Sequence, residues 1–236
     1  MTFKIGTPGS LVDEIRENYS PTDQESISYI GLEHINQNTL SINGIGKSSN
    51  TQSSKRRFKK GDILFGTLRP YFRKVVQLEF DGVCSTDITV LRPKSKYDVH
   101  FAKYFIANYK FIDFAYAHSN GTRMPRANWK QLSKTEWQIP DQNTKGKIGS
   151  VLNAYDKLIE NNTKRIQILE EMAQRIYKEW FVDFKYPEHE NDELVDSELG
   201  MIPEGWQVGR LVKFCSNIFS GGTPSTKNND YWNGPL

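Results

Sequence analysis

Ten positions in one stretch constrain this chain most: Ile148, Leu152, Tyr155, Ile159, Asn162, Ile166, Leu169, Ala173, Ile176 and Trp180 follow one another in alternating steps of four and three residues. On a helix that spacing makes a narrow seam with a period of 3.5 residues, and held over this many turns it predicts a coiled coil. At a rise of about 1.5 Å per residue the helix is roughly 50 Å long. Its other faces carry Lys157, Glu160, Lys164, Arg165, Glu170, Glu171, Arg175, Lys178 and Glu179, so they suit water. The seam needs a second helix, and the sequence holds no other segment of this length and pattern. The expected partner is another chain, another copy of this one, or a missing half. Asn162 is the polar position in the seam. Buried there, an Asn costs stability but fixes register and partner choice; the alternative is that Asn161 and Asn162 face solvent where the seam loosens. For the helix as a whole, the alternative is an amphipathic segment folded back onto its own domain.

The 236 residues leave room for one large or two modest domains. With 37% hydrophobic and 12% aromatic residues and a mean hydropathy of −0.63, the composition is that of a soluble globular protein. No apolar run approaches a membrane span and no signal-peptide core follows Met1, so the cytoplasm is the expected compartment. Cys84 and Cys215 stand far apart and offer neither a disulfide framework nor a zinc set; both are expected to be buried thiols. His34, His100, His118 and His189 fall at no metal-ligand spacing. The net charge of +3 conceals an asymmetry: residues 1–143 hold 20 Lys+Arg against 14 Asp+Glu, or +6, and the remainder 11 against 14, or −3. A basic module on a non-binding arm has this distribution, as does plain solvated surface.

In chain order, the first half reads as strands with an inserted helix. Residues 28–35 alternate apolar and polar, and Asp62–Phe65 is a short buried run after a Lys-Lys-Gly turn. The segments 73–80 and 83–91 flank Asp81-Gly82, a hairpin signal. Asp98 is expected to cap a helix running to about Ala117. Trp137–Pro140 is strand-like. These elements predict an α+β fold: one mixed strand and helix domain over 1–143, followed by a long coiled-coil-forming helix over 144–184. Six acidic residues between Pro187 and Glu198 mark residues 185–205 as a solvated linker. Residues 206–236 look like the start of a second domain that the chain does not complete. A faint echo, Leu11-Val12 with Leu211-Val212 and Tyr19-Ser20 with Phe219-Ser220, fits a plan of domain, helix, domain.

Asn43–Ser48 superficially matches a phosphate-binding loop, but Ser41 stands where that pattern needs Gly, so a turn is expected. Lys55, Arg56, Arg57, Lys59 and Lys60 form a basic cluster suited to phosphate contacts, or to a solvated loop. Leu68–Lys74 interleaves Arg69, Arg73 and Lys74 with Tyr71 and Phe72, which suits groove contacts unless the aromatics are core. Gly121–Arg126 places Thr122, Arg123 and Arg126 on a loop braced by Pro125; arginine reads guanine bidentately and Thr meets a phosphate or a thymine methyl. The expected DNA contacts are Lys59, Lys60, Arg69, Tyr71, Arg73, Lys74, Thr122, Arg123, Arg126 and Lys130. The expected helix interface is Ile148, Leu152, Tyr155, Ile159, Asn162, Ile166, Leu169 and Ile176. No nucleophile elbow, HExxH or paired carboxylates emerge, so no enzymatic activity and no metal site are expected.

The motifs Tyr29–Ile35, Lys60–Tyr71, Cys84–Ile88 and Gly121–Pro125, in this order, resemble the target recognition domain of specificity (S) subunits of type I restriction-modification systems. The helix ending Trp180–Phe184 is similar to that family's central conserved region, and Gly200–Trp206 and Ser220–Ser225 to the beginning of its second recognition domain. The resemblance implies a non-catalytic chain that reads double-stranded DNA. In such a plan two recognition domains, separated by antiparallel helices, each read half of a split site. It also implies docking to modification subunits, which methylate adenine with S-adenosylmethionine, and to restriction/motor subunits, which use ATP and Mg; no cofactor belongs to this chain. The family plan continues through a second domain and a second helix. The expectation is therefore a half-length subunit, natural or truncated, that pairs with a second copy of itself or with another S polypeptide. The alternatives are a stand-alone DNA-binding module and a fragment or decoy that binds modification subunits without reading sequence.

Overall fold

Ile63, Leu64 and Phe65 are wholly buried, and the strand they form separates two cores. Because successive side chains on a strand point to opposite faces, Ile63 and Phe65 enter one core and Leu64 the other. The computed structural model describes residues 3–21, 26–228 and 231, and the chain divides into two units, Met1–Asn162 and Thr163–Leu236.

The first unit contains strands β1 (Phe3–Gly6), β2 (Val12–Ile15), β3 (Asn18–Tyr19), β4 (Ser28–Ile30), β5 (Gly46–Lys47), β6 (Lys55–Phe58), β7 (Ile63–Gly66), β8 (Val75–Gln77), β9 (Gly82–Cys84), β10 (Ile88–Pro93) and β11 (Trp137–Pro140). Its short helices are α1 (Asp98–Ile106), α2 (Tyr109–Ala117) and α3 (Trp129–Leu132). One sheet has the order β2-β10-β7-β8 and another β3-β6-β9-β4-β5, while β1 pairs with β11. Within these sheets β4 and β9 run parallel and the other pairs antiparallel. The first core joins Phe65, Leu91, Phe101, Phe111 and Trp129 between the four-stranded sheet and the helices. The second joins Ile30, Phe58, Leu64, Val76 and Val90. Strands plus short helices on a central sheet, followed by a long helix, are the α+β architecture expected from the sequence.

Several local expectations are corrected. Asp81-Gly82 is not a hairpin turn: β8 and β9 lie in different sheets. Gly82 is a strand residue, and a Cβ on it would lie 2.7 Å from both Ser28 O and Phe58 Cζ. The Asp81 carboxylate instead accepts from Lys60 N (2.7 Å). Residues 83–91 do not form one strand, because Ser85–Asp87 turn the chain from one sheet to the other. The strand expected through Ile35 ends at Ile30 in a 3-10 turn, Leu32–His34, where His34 Nδ1 accepts from Gly31 N (2.9 Å). The helix expected over 98–117 breaks into α1 and α2, with Asn108 capping the second (2.8 Å to Lys110 N). Asp98 is the first residue of α1 rather than its cap, and its carboxylate pairs with Lys145. The basic cluster is not a loop, since Lys55–Phe58 are strand β6.

Asp62, with a side chain 2% exposed, accepts from Arg92 Nε (2.8 Å) and Nη2 (2.7 Å) and from Lys59 N (2.8 Å). Removing an acceptor shared by three donors costs about 2–3 kcal/mol. Asp62→Ala is therefore expected to destabilise the first unit by that amount, read as a lower denaturant midpoint at an unchanged slope. Asp62→Asn, which keeps an acceptor for Lys59, is expected to cost less; equal midpoints for wild type and Asp62→Ala would remove this assignment.

Helix α4 (Gln142–Tyr177) is 36 residues long, about 54 Å, and a π-turn at Lys178–Val182 follows. Ile148 packs against the first core, so the seam proper begins beyond it. Tyr155, Ile159, Ile166 and Leu169 are 57–64% exposed, and Val151, Leu158 and Met172 widen the stripe. Asn162 is also exposed.

In the second unit, Trp206 lies 5.4 Å from Phe184 and 6.1 Å, stacked, from Tyr186. Strands β12 (Leu194–Val195) and β13 (Ile202–Pro203) pair antiparallel. The linker segment 185–205 is therefore solvated but not bare: its acidic residues are exposed, a two-residue strand pair crosses it, and Trp206 at its end packs with Phe184 and Tyr186. Beyond it, Leu211, Phe214 and Phe219 are highly exposed. Of the expected second-domain start, residues 229–230 and 232–236 lie outside the described residues.

Candidate nucleic-acid interface

The C-terminal end of β7 is where distant segments converge. Thr67 N and Oγ1 both donate to Asp87 O (2.9 and 2.8 Å), Ala127 N donates to Thr67 O (2.9 Å) and Arg69 N to Pro125 O (2.7 Å). Residues 67–69 thus run between the 85–87 turn and the 120–127 loop, a placement no local pattern specifies. The loop closes on itself through Asn120 and Arg126, each N–H donating to the other's carbonyl (3.0 and 2.9 Å). Gly121 takes φ +89° there, a region that residues with a Cβ rarely occupy.

This scaffold brings six of the expected residues to one side of the domain. Thr122, Arg123 and Arg126 stand exposed on the loop, and Lys130 is exposed on α3. Tyr71 is exposed, edge-on to the exposed Tyr116 at 5.2 Å; it is not core. Arg69 occupies a left-handed conformation, φ +51°, and its Nε is buried without a hydrogen-bond partner. Arg126 donates through Nε and Nη2 to one oxygen of Asp87 (3.2 and 3.0 Å), which orients the guanidinium. Beside the loop, Arg126 and Lys130 line a polar cleft of about 270 Å³ with Arg16, Arg56, Asn120 and Asn128. Sequence reading passed over Arg16 and Asn120 because neither sits in a charged run. Arg16 pairs with Glu14 (2.8 Å) in strand β2 and the turn after it, far from residue 126 in sequence.

The remaining candidates lie elsewhere. Lys59 and Lys60 precede β7, so the length of that strand, about 13 Å, separates them from the loop cluster; Lys60 pairs with Glu79 (3.0 Å). Arg73 and Lys74 are committed to the fold. Arg73 donates to Ala107 O and to Asn38 O (3.0 Å) and lies over the Tyr109 ring at 4.3 Å, and Lys74 donates to Leu32 O. Their charged ends are held by backbone carbonyls. The loop at 43–48 leads into strand β5 and a single 3-10 turn, without the helix N-terminus a phosphate loop needs. Burial pushes the Cys84 thiol up to about 12, which leaves it unreactive, whereas Cys215 is exposed, contrary to expectation. Among the described residues no three His, Cys, Asp or Glu side chains converge on a metal position, and no helix is long and apolar enough to cross a membrane.

The family model for the type I restriction modification DNA specificity domain matches residues 13–171. The type I restriction enzyme MjaIX specificity subunit of Methanocaldococcus jannaschii is 28% identical over 202 residues, 81% of this chain and 43% of that protein. The HindI specificity subunit of Haemophilus influenzae is 31% identical over 177 residues, 72% of this chain and 37% of that one. Among solved structures, the type I restriction-modification S subunit from M. genitalium superposes with a TM-score of 0.56 at 16% identity, over 77% of this chain and 46% of that one. The HsdS subunit from Thermoanaerobacter tengcongensis gives 0.54 at 17% identity, over 75% and 46%. These two likenesses show a shared fold. The chain spans less than half the length of these relatives.

Proposed function

This chain belongs to the type I restriction modification DNA specificity domain family, and from that premise we propose that it is the DNA-recognition subunit of a type I restriction-modification complex, working as a half-subunit that pairs with a second copy. The observation that carries the reading is the gathering of Arg69, Tyr71, Thr122, Arg123, Arg126 and Lys130 on one side of a rigid domain. Arg126, its guanidinium oriented by Asp87, suits a guanine edge, Lys130 and Arg16 suit phosphates, and the exposed Tyr71 and Tyr116 offer apolar contact. Arg69 Nε, buried without a partner, fits a group whose acceptor arrives with the ligand.

The chain itself performs no chemistry in this reading. It directs modification subunits, which methylate adenine with S-adenosylmethionine, and restriction/motor subunits, which use ATP and Mg, to a split site. The exposed stripe on α4 supports pairing, because two copies of one helix supply the two-domain, two-helix arrangement through a self-complementary interface. Sedimentation at micromolar concentration is expected to give twice the chain mass of 27.2 kDa; a monomer contradicts the pairing.

Asp87 provides a test of how Arg126 works. If Arg126 contributed charge alone, removing its neighbouring carboxylate would strengthen binding to any DNA. As an oriented reader, it loses its alignment instead. Asp87→Ala is expected to weaken binding to the cognate sequence by about 1 kcal/mol, roughly fivefold, and to leave or raise binding to unrelated DNA. Tighter binding to both, measured by fluorescence anisotropy, would assign Arg126 to the phosphates.

A further inference from the structure

Helix α4 is fixed to the recognition domain at two separated points. Near its start, Lys145 Nζ meets Asp98 Oδ1 at 2.5 Å, with side chains 10% and 4% exposed, while Ser95 Oγ donates to the other Asp98 oxygen. Eleven residues on, about 16 Å along the helix, Asp156 Oδ2 accepts from Lys103 Nζ and from Tyr104 OH, both at 2.7 Å; the Lys103 side chain is 7% exposed. Between them Gly149 lies so close to α1 that a Cβ on it would stand 2.8 Å from Phe101 N, and Ile148 packs on the first core. One attachment lets a helix pivot, whereas two attachments with backbone contact between them define its direction. The first pair is removed from water and the second partly so, the Asp156 side chain being 35% exposed; such pairs contribute little net stability but demand one geometry.

We propose that Asp98–Lys145 and Lys103–Asp156 are positioning residues that set how many base pairs the complex accepts between its two half-sites. The inference rests on the split-site reading above. One added base pair moves the half-sites apart by about 3.4 Å and turns one against the other by about 34°. A domain free to pivot on its helix follows such a change, and a locked one does not. Misplacement by about 1 Å at a reacting centre costs on the order of 100-fold in rate, so the lock confines methylation to one spacing.

The test maps methylated adenines in cells that carry the cognate modification subunit with either the wild-type chain or Lys103→Met/Asp156→Leu, which removes both charges together and leaves neither unpaired. The wild type is expected to give one spacing. The variant is expected to keep both half-site sequences and to raise methylation at one base pair more or fewer by about tenfold. Gly149→Ala, which forces α4 off α1 with the ion pairs intact, is expected to alter the spacing as well. An unchanged single spacing in both variants overturns the proposal, as does a uniform loss of methylation with no new spacing, which places these residues in folding alone. A wild-type map without any split motif overturns the functional reading itself, and so separates the two failures.

Discussion

Ile166→Glu or Leu169→Glu is expected to abolish the pairing proposed for α4 without disturbing the first unit. Both side chains are mostly exposed in the single chain, so neither supports a core and the substitution costs the monomer little. In a symmetric pair each carboxylate appears twice, and each would be buried in the seam without a partner, at several kcal/mol apiece. The association constant is then expected to fall by more than about a thousandfold. Sedimentation should show the chain mass alone at concentrations where the wild type pairs, with an unchanged thermal transition for the first unit. A variant that still sediments as a pair refutes the assignment of this stripe as the interface.

Arg126→Ala and Arg123→Ala are expected to cost about 1–3 kcal/mol each in binding to the cognate sequence. Arg126 is held by Asp87 on a loop tied to Thr67 and Arg69, so its loss should relax the preference at one base position. Lys130→Ala is expected to weaken cognate and unrelated DNA alike and to reduce the salt dependence. Competition binding against single-base variants separates these outcomes: an Arg126→Ala chain with undiminished sequence preference does not read a base there.

The long helix was legible because its signal is local and repeated, although the commitment of Ile148 to the domain core was not, since that depends on α1 lying alongside. The strand at 63–66 was legible from its apolar run and that at 137–140 from the alternation of Trp137, Gln138 and Ile139. The hairpin at Asp81-Gly82 was misread because a turn dipeptide says nothing about which sheet receives the next strand, and Gly82 is required by its neighbours Phe58 and Ser28. The candidate interface was legible in part. The loop 121–126 and Arg69 announced themselves by residue type, but Arg73 and Lys74 carry the same signal and are bound to Ala107 and Leu32 carbonyls. Conversely, Arg16 and Asp87 gain meaning only from being brought to Arg126 by the sheet. Charge runs identify candidates; long-range hydrogen bonds decide which are free to bind.

The most direct measurement is a map of methylated adenines in DNA from cells carrying the cognate modification subunit, with and without this gene. A motif that depends on the gene and consists of two identical halves in inverted orientation is expected, as a symmetric pair of recognition domains requires. Unrelated halves would contradict the pairing of two copies, and the absence of any gene-dependent motif would contradict the DNA-recognition role.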